Sequence, residues 1–92
     1  MNPTDSTLGY ELVYKPLTVV ITGGTGSFGS ALAERLIDRP EIGTVRIFSR
    51  DEFKQYELQK RLTSPKLRFF IGDVRDEKRL ESAFYKADIV IH

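Results

Sequence analysis

The 92-residue chain has no cysteine and no tryptophan, and only one methionine and one histidine. The lack of cysteine removes disulfides, thiolate metal sites and cysteine nucleophiles together, and it agrees with a reducing compartment, the cytoplasm by default. No stretch approaches the roughly 20 apolar residues of a membrane span. Residues 1–16 are mostly polar and lack the basic start and apolar run of an export signal. An excess of one charge is missing too: 14 basic and 13 acidic residues leave +1, which gives no general pull toward nucleic acid or an acidic membrane. Any anion must be held by a local site. What is present, 40 % hydrophobic and 29 % charged residues, is ordinary for a soluble globular domain. A chain this short buries only about 60 to 65 % of its unfolded surface, so its stability is marginal.

From Leu17 onward, short apolar runs alternate with amphipathic stretches, the pattern of βαβ units around a parallel sheet. The β-branched run 17–22 reads as a strand buried on both faces. Residues 27–39 read as a helix, with Phe28, Leu32 and Leu36 repeating every four positions and Pro40 as the stop. A second strand is expected over 44–48. Ser49-Arg50-Asp51-Glu52 has the S-x-x-E form of a capping box, which predicts a second helix opening at Ser49 and running to about Leu62. A third strand over 67–71 precedes a third helix capped by Asp76, with Leu80, Ala83, Phe84 and Ala87 on one face. Residues 88–92 begin a fourth strand. Right-handed crossovers order these strands 3-2-1-4, and ligands in such sheets bind where the order reverses, between strands 1 and 4. The expected class is α/β, a Rossmann-type parallel sheet with flanking helices. It reads as truncated after strand 4, which would be left as an uncovered edge.

Four of the seven glycines fall in Gly23-Gly24-Thr25-Gly26-Ser27-Phe28-Gly29, directly between the first strand and the first helix. The segment satisfies G-x-G-x-x-G through Gly24, Gly26 and Gly29, and G-x-x-G-x-x-G through Gly23, Gly26 and Gly29. An early glycine permits the tight turn, Gly26 lets the backbone approach a pyrophosphate, and Gly29 lets helix and strand pack closely. The helix N-terminus then faces the phosphates. A bare glycine pattern is weak, but a strand before it, a helix after it and a second strand ending about 20 residues on make it a dinucleotide-binding turn. No Lys-Ser or Lys-Thr closes it, which excludes a P-loop. The expected organisation is an extension, 1–16, and the amino-terminal half of an NAD(P)-binding domain, 17–92.

At the end of the second strand an acidic residue suits the ribose of NAD, and an arginine suits the 2′-phosphate of NADP. Here that position reads Ser49, Arg50, Asp51 and Glu52, with Lys54 following. Arg50 and Lys54 are four apart, which on a helix sets them on one face, where they oppose the dipole unless a phosphate lies between them. The expected cofactor is NADP. Asp73 and Val74, past the third strand, are placed to meet the adenine edge, though Gly72-Asp73 also reads as a simple turn.

The strings Thr22-Gly-Gly-Thr-Gly-Ser-Phe-Gly29, Phe48-Ser-Arg-Asp-Glu52 with Lys54-Gln55, and Arg68-Phe-Phe-Ile-Gly-Asp-Val-Arg-Asp76 resemble a known family. It is the extended short-chain dehydrogenase/reductases, in particular the inverting UDP-N-acetylglucosamine 4,6-dehydratases and related polysaccharide biosynthesis proteins. The resemblance covers nearly all of 17–92. It implies a lyase in which NADP oxidises the sugar at C4, water leaves across C5 and C6, and the hydride returns to C6. It implies Thr25, Gly26, Ser27 and Phe28 at the pyrophosphate, Ser49 through Lys54 around the adenosine phosphate, and Asp73 and Val74 at adenine. UDP-sugar 4-epimerases share these opening strings and stay open as an alternative, as does a dinucleotide-binding module without chemistry. The complete enzyme is expected to be a homo-oligomer acting on UDP-N-acetylglucosamine, with its catalytic tyrosine and lysine beyond strand 4, so the isolated chain is expected to be inactive.

One apparent motif is rejected. Tyr56 and Lys60 fit Y-x-x-x-K, but they lie in the second helix on the adenosine side, and geometry precedes pKa in assigning a base. Tyr56 reads as packing and Lys60 as solvated. His92 carries no role.

Overall fold

The computed structural model describes residues 15–92. The extension expected over 1–16 therefore lies almost wholly outside the described residues. The elements run β1 (Leu17–Thr22), α1 (Ser27–Leu36), β2 (Ile42–Ser49), α2 (Glu52–Arg61), β3 (Leu67–Ile71), α3 (Glu77–Phe84) and β4 (Ile89–Ile91). All strand pairs are parallel and the order is β3-β2-β1-β4, the Rossmann arrangement.

Successive side chains on a strand point to opposite faces, and the sheet's two sides are filled accordingly. Val19, Ile21, Val45, Ile47 and Leu67 form one buried cluster with Ala33 of α1, Leu58 of α2 and Leu62. On the other side, Val20 and Phe48 are fully buried, as is Ala83 of α3. Arg46 reaches over this face and donates to the carbonyls of Ala83 (2.8 Å) and Tyr85 (2.6 Å), satisfying acceptors that the end of α3 leaves open.

Several boundaries differ from the sequence reading, each for a tertiary reason. Helix α2 does not open at Ser49. Asp51 is the N-cap, accepting from the Lys54 N–H at 2.9 Å. Ser49 stays extended because it pairs with Ile71, and its carbonyl accepts from the Gly72 N–H at 3.0 Å. Strand β2 reaches back to Ile42, which pairs with Leu17 across a register shift. The buried side of α1 is Gly29 and Ala33, with Leu32 and Leu36 flanking it. Phe28 is not part of it and is 72 % exposed. Asp76 caps α3 as expected, accepting from the Arg79 N–H at 3.2 Å. β4 forms a sheet edge on which Ile89 and Val90 are exposed.

Candidate functional site: a dinucleotide crevice

The site lies at the carboxyl ends of β1, β2 and β3, and its floor is the turn from β1 into α1. Gly23 has a φ of +68°, a left-handed conformation that side chains other than glycine rarely adopt. A methyl group on Gly29 would stand 2.6 Å from the Gly24 Cα and 2.9 Å from the Gly23 oxygen, so the helix rests directly on the turn. Gly26 is different. A Cβ there would meet only the Gly23 oxygen, at an ordinary 3.5 Å. The space in front of Gly26 is open to a ligand.

Gly26 is also the N-cap of α1, and no side chain caps that terminus, whereas Asp51 and Asp76 cap α2 and α3. The first-turn N–H groups of α1 are thus left for an anion, with the positive end of the helix dipole behind them. Ser27 and Phe28 are exposed at this end, and Thr25 is half-buried beside them. This donor set fits a pyrophosphate.

Two hollows adjoin the turn. One, of about 540 Å³, opens between the β1, β2 and β3 ends and is lined by Gly23, Ser49, Arg50, Asp51, Asp73 and Val74 among others. Its size is that of a small-molecule site. The other, of about 630 Å³, runs between α1 and α2 past Thr25, Gly26, Ser27 and Lys54. The sequence set Arg50 and Lys54 on one helical face. The structure separates them: Arg50 precedes the cap of α2, so helical spacing does not apply, and the two side chains line different hollows on either side of the α2 start. Glu52 occupies the first turn of α2 and is exposed.

Arg50 is 74 % exposed at its side chain and touches Asp73 through one bond, Nη1 to Oδ2, at 3.3 Å. Asp51 uses one carboxylate oxygen on its own helix. The carboxyl of Asp73 is held well below the usual carboxylate range, first by the Arg75 side chain, then by the Arg75 backbone N–H, with Arg50 a smaller cause. Arg75 is raised in turn by Asp73. Val74 is exposed, an apolar surface beside the hollow.

Sequence reasoning missed Gln55. It is 3 % exposed, and its amide donates to the Ser49 hydroxyl (3.0 Å), the Ser49 carbonyl (3.3 Å) and the Phe70 carbonyl (2.9 Å). One side chain thus ties α2 to the ends of β2 and β3. A polar residue in a polar helix carries no signal of burial, so no sequence cue exposes it.

Tyr56 is exposed and does not pack into the core as the sequence suggested. Lys60 lies over its ring at 5.1 Å, a cation–π contact on the outside of α2. His92 Nδ1 lies 2.8 Å from the Thr22 hydroxyl, joining the ends of β1 and β4. Among the described residues there is no acidic or histidine cluster that could hold a metal, and no helix is long and apolar enough to cross a membrane.

A family model described as "Polysaccharide biosynthesis protein" matches residues 19–92. The chain belongs to that family. The chain is 49 % identical over 78 residues to a UDP-glucose 4-epimerase of Rickettsia canadensis, covering 82 % of the chain and 23 % of the relative. It is 42 % identical over 80 residues to an inverting UDP-N-acetylglucosamine 4,6-dehydratase of Campylobacter jejuni, covering 87 % and 24 %. Among solved structures, Pen from Bacillus thuringiensis superposes with a TM-score of 0.75 at 34 % identity, over 86 % of this chain and 24 % of that one. A short-chain dehydrogenase/reductase of Veillonella parvula superposes at 0.67 with 17 % identity, over 83 % and 34 %, a likeness of fold alone. The chain spans about a quarter of the length of the curated relatives it matches.

Proposed function

We propose that this chain is the NADP-binding portion of a nucleotide-sugar 4,6-dehydratase acting on UDP-N-acetylglucosamine. The observation that carries the cofactor choice is the contrast at the end of β2. Asp51, the carboxylate that would suit the ribose of NAD, is engaged in capping α2, while the guanidinium of Arg50 stands exposed at the mouth of the hollow with one weak partner. A planar, permanently charged fork suits a phosphate there. NADP, when bound, supplies the hydride acceptor for oxidation of the sugar. The residues of this chain do the holding: the first-turn N–H groups of α1 take the pyrophosphate, Arg50 takes the 2′-phosphate with Lys54 adding charge from the α1–α2 side, and Asp73 and Val74 border adenine.

A second reading, a UDP-sugar 4-epimerase, is favoured by the 49 % identity to the Rickettsia relative so named. Incubating the protein that carries this segment with UDP-N-acetylglucosamine, followed by NMR of the product, separates the two. A 4-keto-6-deoxy sugar supports the dehydratase, and a C4 epimer supports the second reading. Failure of the purified chain to bind either NADP or NAD would overturn both.

A further inference from the structure

Two arginines meet on the Asp73 carboxylate, and they are not held alike. Arg75 makes three bonds to it: backbone N–H to Oδ1 at 2.9 Å, Nε to Oδ1 at 3.1 Å and Nη2 to Oδ2 at 2.8 Å. Arg50 makes one, at 3.3 Å, to Oδ2. A guanidinium laid along both oxygens of a carboxylate is the strong, directional form of this pair, whereas a single long contact from an exposed arginine contributes little. The charged groups lining this hollow are Arg50, Asp51, Asp73 and Arg75, two of each sign. Without Arg75, one cation would face two carboxylates, and Asp73 would have a free edge turned toward Arg50.

We propose that Arg75 is a specificity-determining residue: by occupying the Asp73 carboxylate it keeps Asp73 from capturing Arg50, and so leaves the Arg50 guanidinium for the adenosine 2′-phosphate. The inference rests on the NADP reading above. Arg75 acts through Asp73, as a positioning residue, and need not touch the cofactor. An aspartate with its ordinary value of 3.8 is ionised through the neutral range, and Arg75 only lowers it further, so the Asp73 carboxylate competes for Arg50 at neutral pH whether or not Arg75 is present. NAD, which lacks the 2′-phosphate, gains nothing from a free Arg50.

The test is calorimetric titration of the purified protein with NADP and with NAD, for the parent, Arg75→Ala, Arg75→Lys and the double variant Arg75→Ala with Asp73→Asn. Arg75→Ala is expected to weaken NADP by roughly three- to tenfold and NAD by less than twofold, the scale of an exposed charge acting near a phosphate. Arg75→Lys, which keeps the charge but loses the two-pronged geometry, is expected to fall between. Because Asp73 also borders adenine, the decisive quantity is the ratio of the two affinities. The double variant is expected to regain the parent's ratio, since the competing carboxylate is gone. An unchanged ratio in Arg75→Ala, or a double variant no better than the single one, overturns the inference alone. A parent with no preference for NADP overturns it together with the reading beneath it.

Discussion

Replacing Gly29 by alanine and Gly26 by valine is expected to separate the two tasks of the glycine turn. At Gly29 the added methyl would lie within 3.0 Å of three backbone atoms, the Gly24 Cα, the Gly23 oxygen and the Gly24 carbonyl carbon. None of these is the end of a flexible side chain, so α1 must move off the turn. Overpacking of this kind costs about 1 to 3 kcal/mol, against at most about 1 kcal/mol regained from alanine's better helix propensity. For a domain of this size about 1 kcal/mol shifts Tm by roughly 4 to 8 °C, so Gly29→Ala is expected to lower Tm by several degrees. At Gly26 the only neighbour of a Cβ is at 3.5 Å and the backbone is extended (φ −72°, ψ 173°), which a branched residue tolerates. Gly26→Val is therefore expected to keep Tm within a few degrees of the parent while abolishing NADP binding, because the branch fills the pyrophosphate's approach. Thermal melts by circular dichroism paired with NADP titration read both effects. Gly26→Val binding normally, or Gly29→Ala melting at or above the parent, would refute this division of labour.

Arg50→Ala is expected to weaken NADP by roughly ten- to a hundredfold, from the loss of a charge-assisted hydrogen bond worth about 1.5 to 3 kcal/mol, with NAD changed much less; equal losses would make Arg50 a support of the fold. Gln55→Leu strands the Phe70 carbonyl and the Ser49 hydroxyl without their amide donor and is expected to destabilise the chain by about 1 to 3 kcal/mol in urea titration, an unchanged midpoint counting against it. Because the folded-state pKa of Asp73 is depressed from its ordinary 3.8, its contribution to stability is present above that value and lost as pH falls below it. Asp73→Asn is expected to make unfolding less pH-dependent below pH 3.8, and a parallel acid profile would argue that the Arg75 pairing does not persist in solution.

The strands were the most legible part of this fold. β1 and β3 fall on 17–22 and 67–71 as the apolar runs indicate: β1, inside the sheet, is a run of mostly β-branched residues buried on both faces, and β3, on the sheet edge, keeps Leu67, Phe69, Phe70 and Ile71 around an exposed Arg68. Helix starts were less legible where two caps compete. Ser49 and Asp51 are both good caps locally, and the choice is made by the β2–β3 ladder, which holds Ser49 extended. That one shift moves Arg50 off the helix and breaks the expected pairing with Lys54. In α1 a periodicity of large residues misled: the face against the sheet carries the small ones, Gly29 and Ala33, since the helix sits close. The glycine turn, Arg50, Asp73 and Val74 were legible as lining residues because chain order alone brings the ends of neighbouring strands together. Gln55 and the Arg75 clamp were not, since both depend on side-chain contacts that no spacing encodes.

Side-by-side titration of the purified protein with NADP and NAD at low and high salt tests most directly whether the carboxyl ends of β1, β2 and β3 form an NADP-selective site. Saturable NADP binding at least about tenfold tighter than NAD is expected at low salt, the equivalent of one charge-assisted bond, with the preference shrinking as salt screens Arg50. Equal affinities, or an NADP preference indifferent to salt, would contradict it.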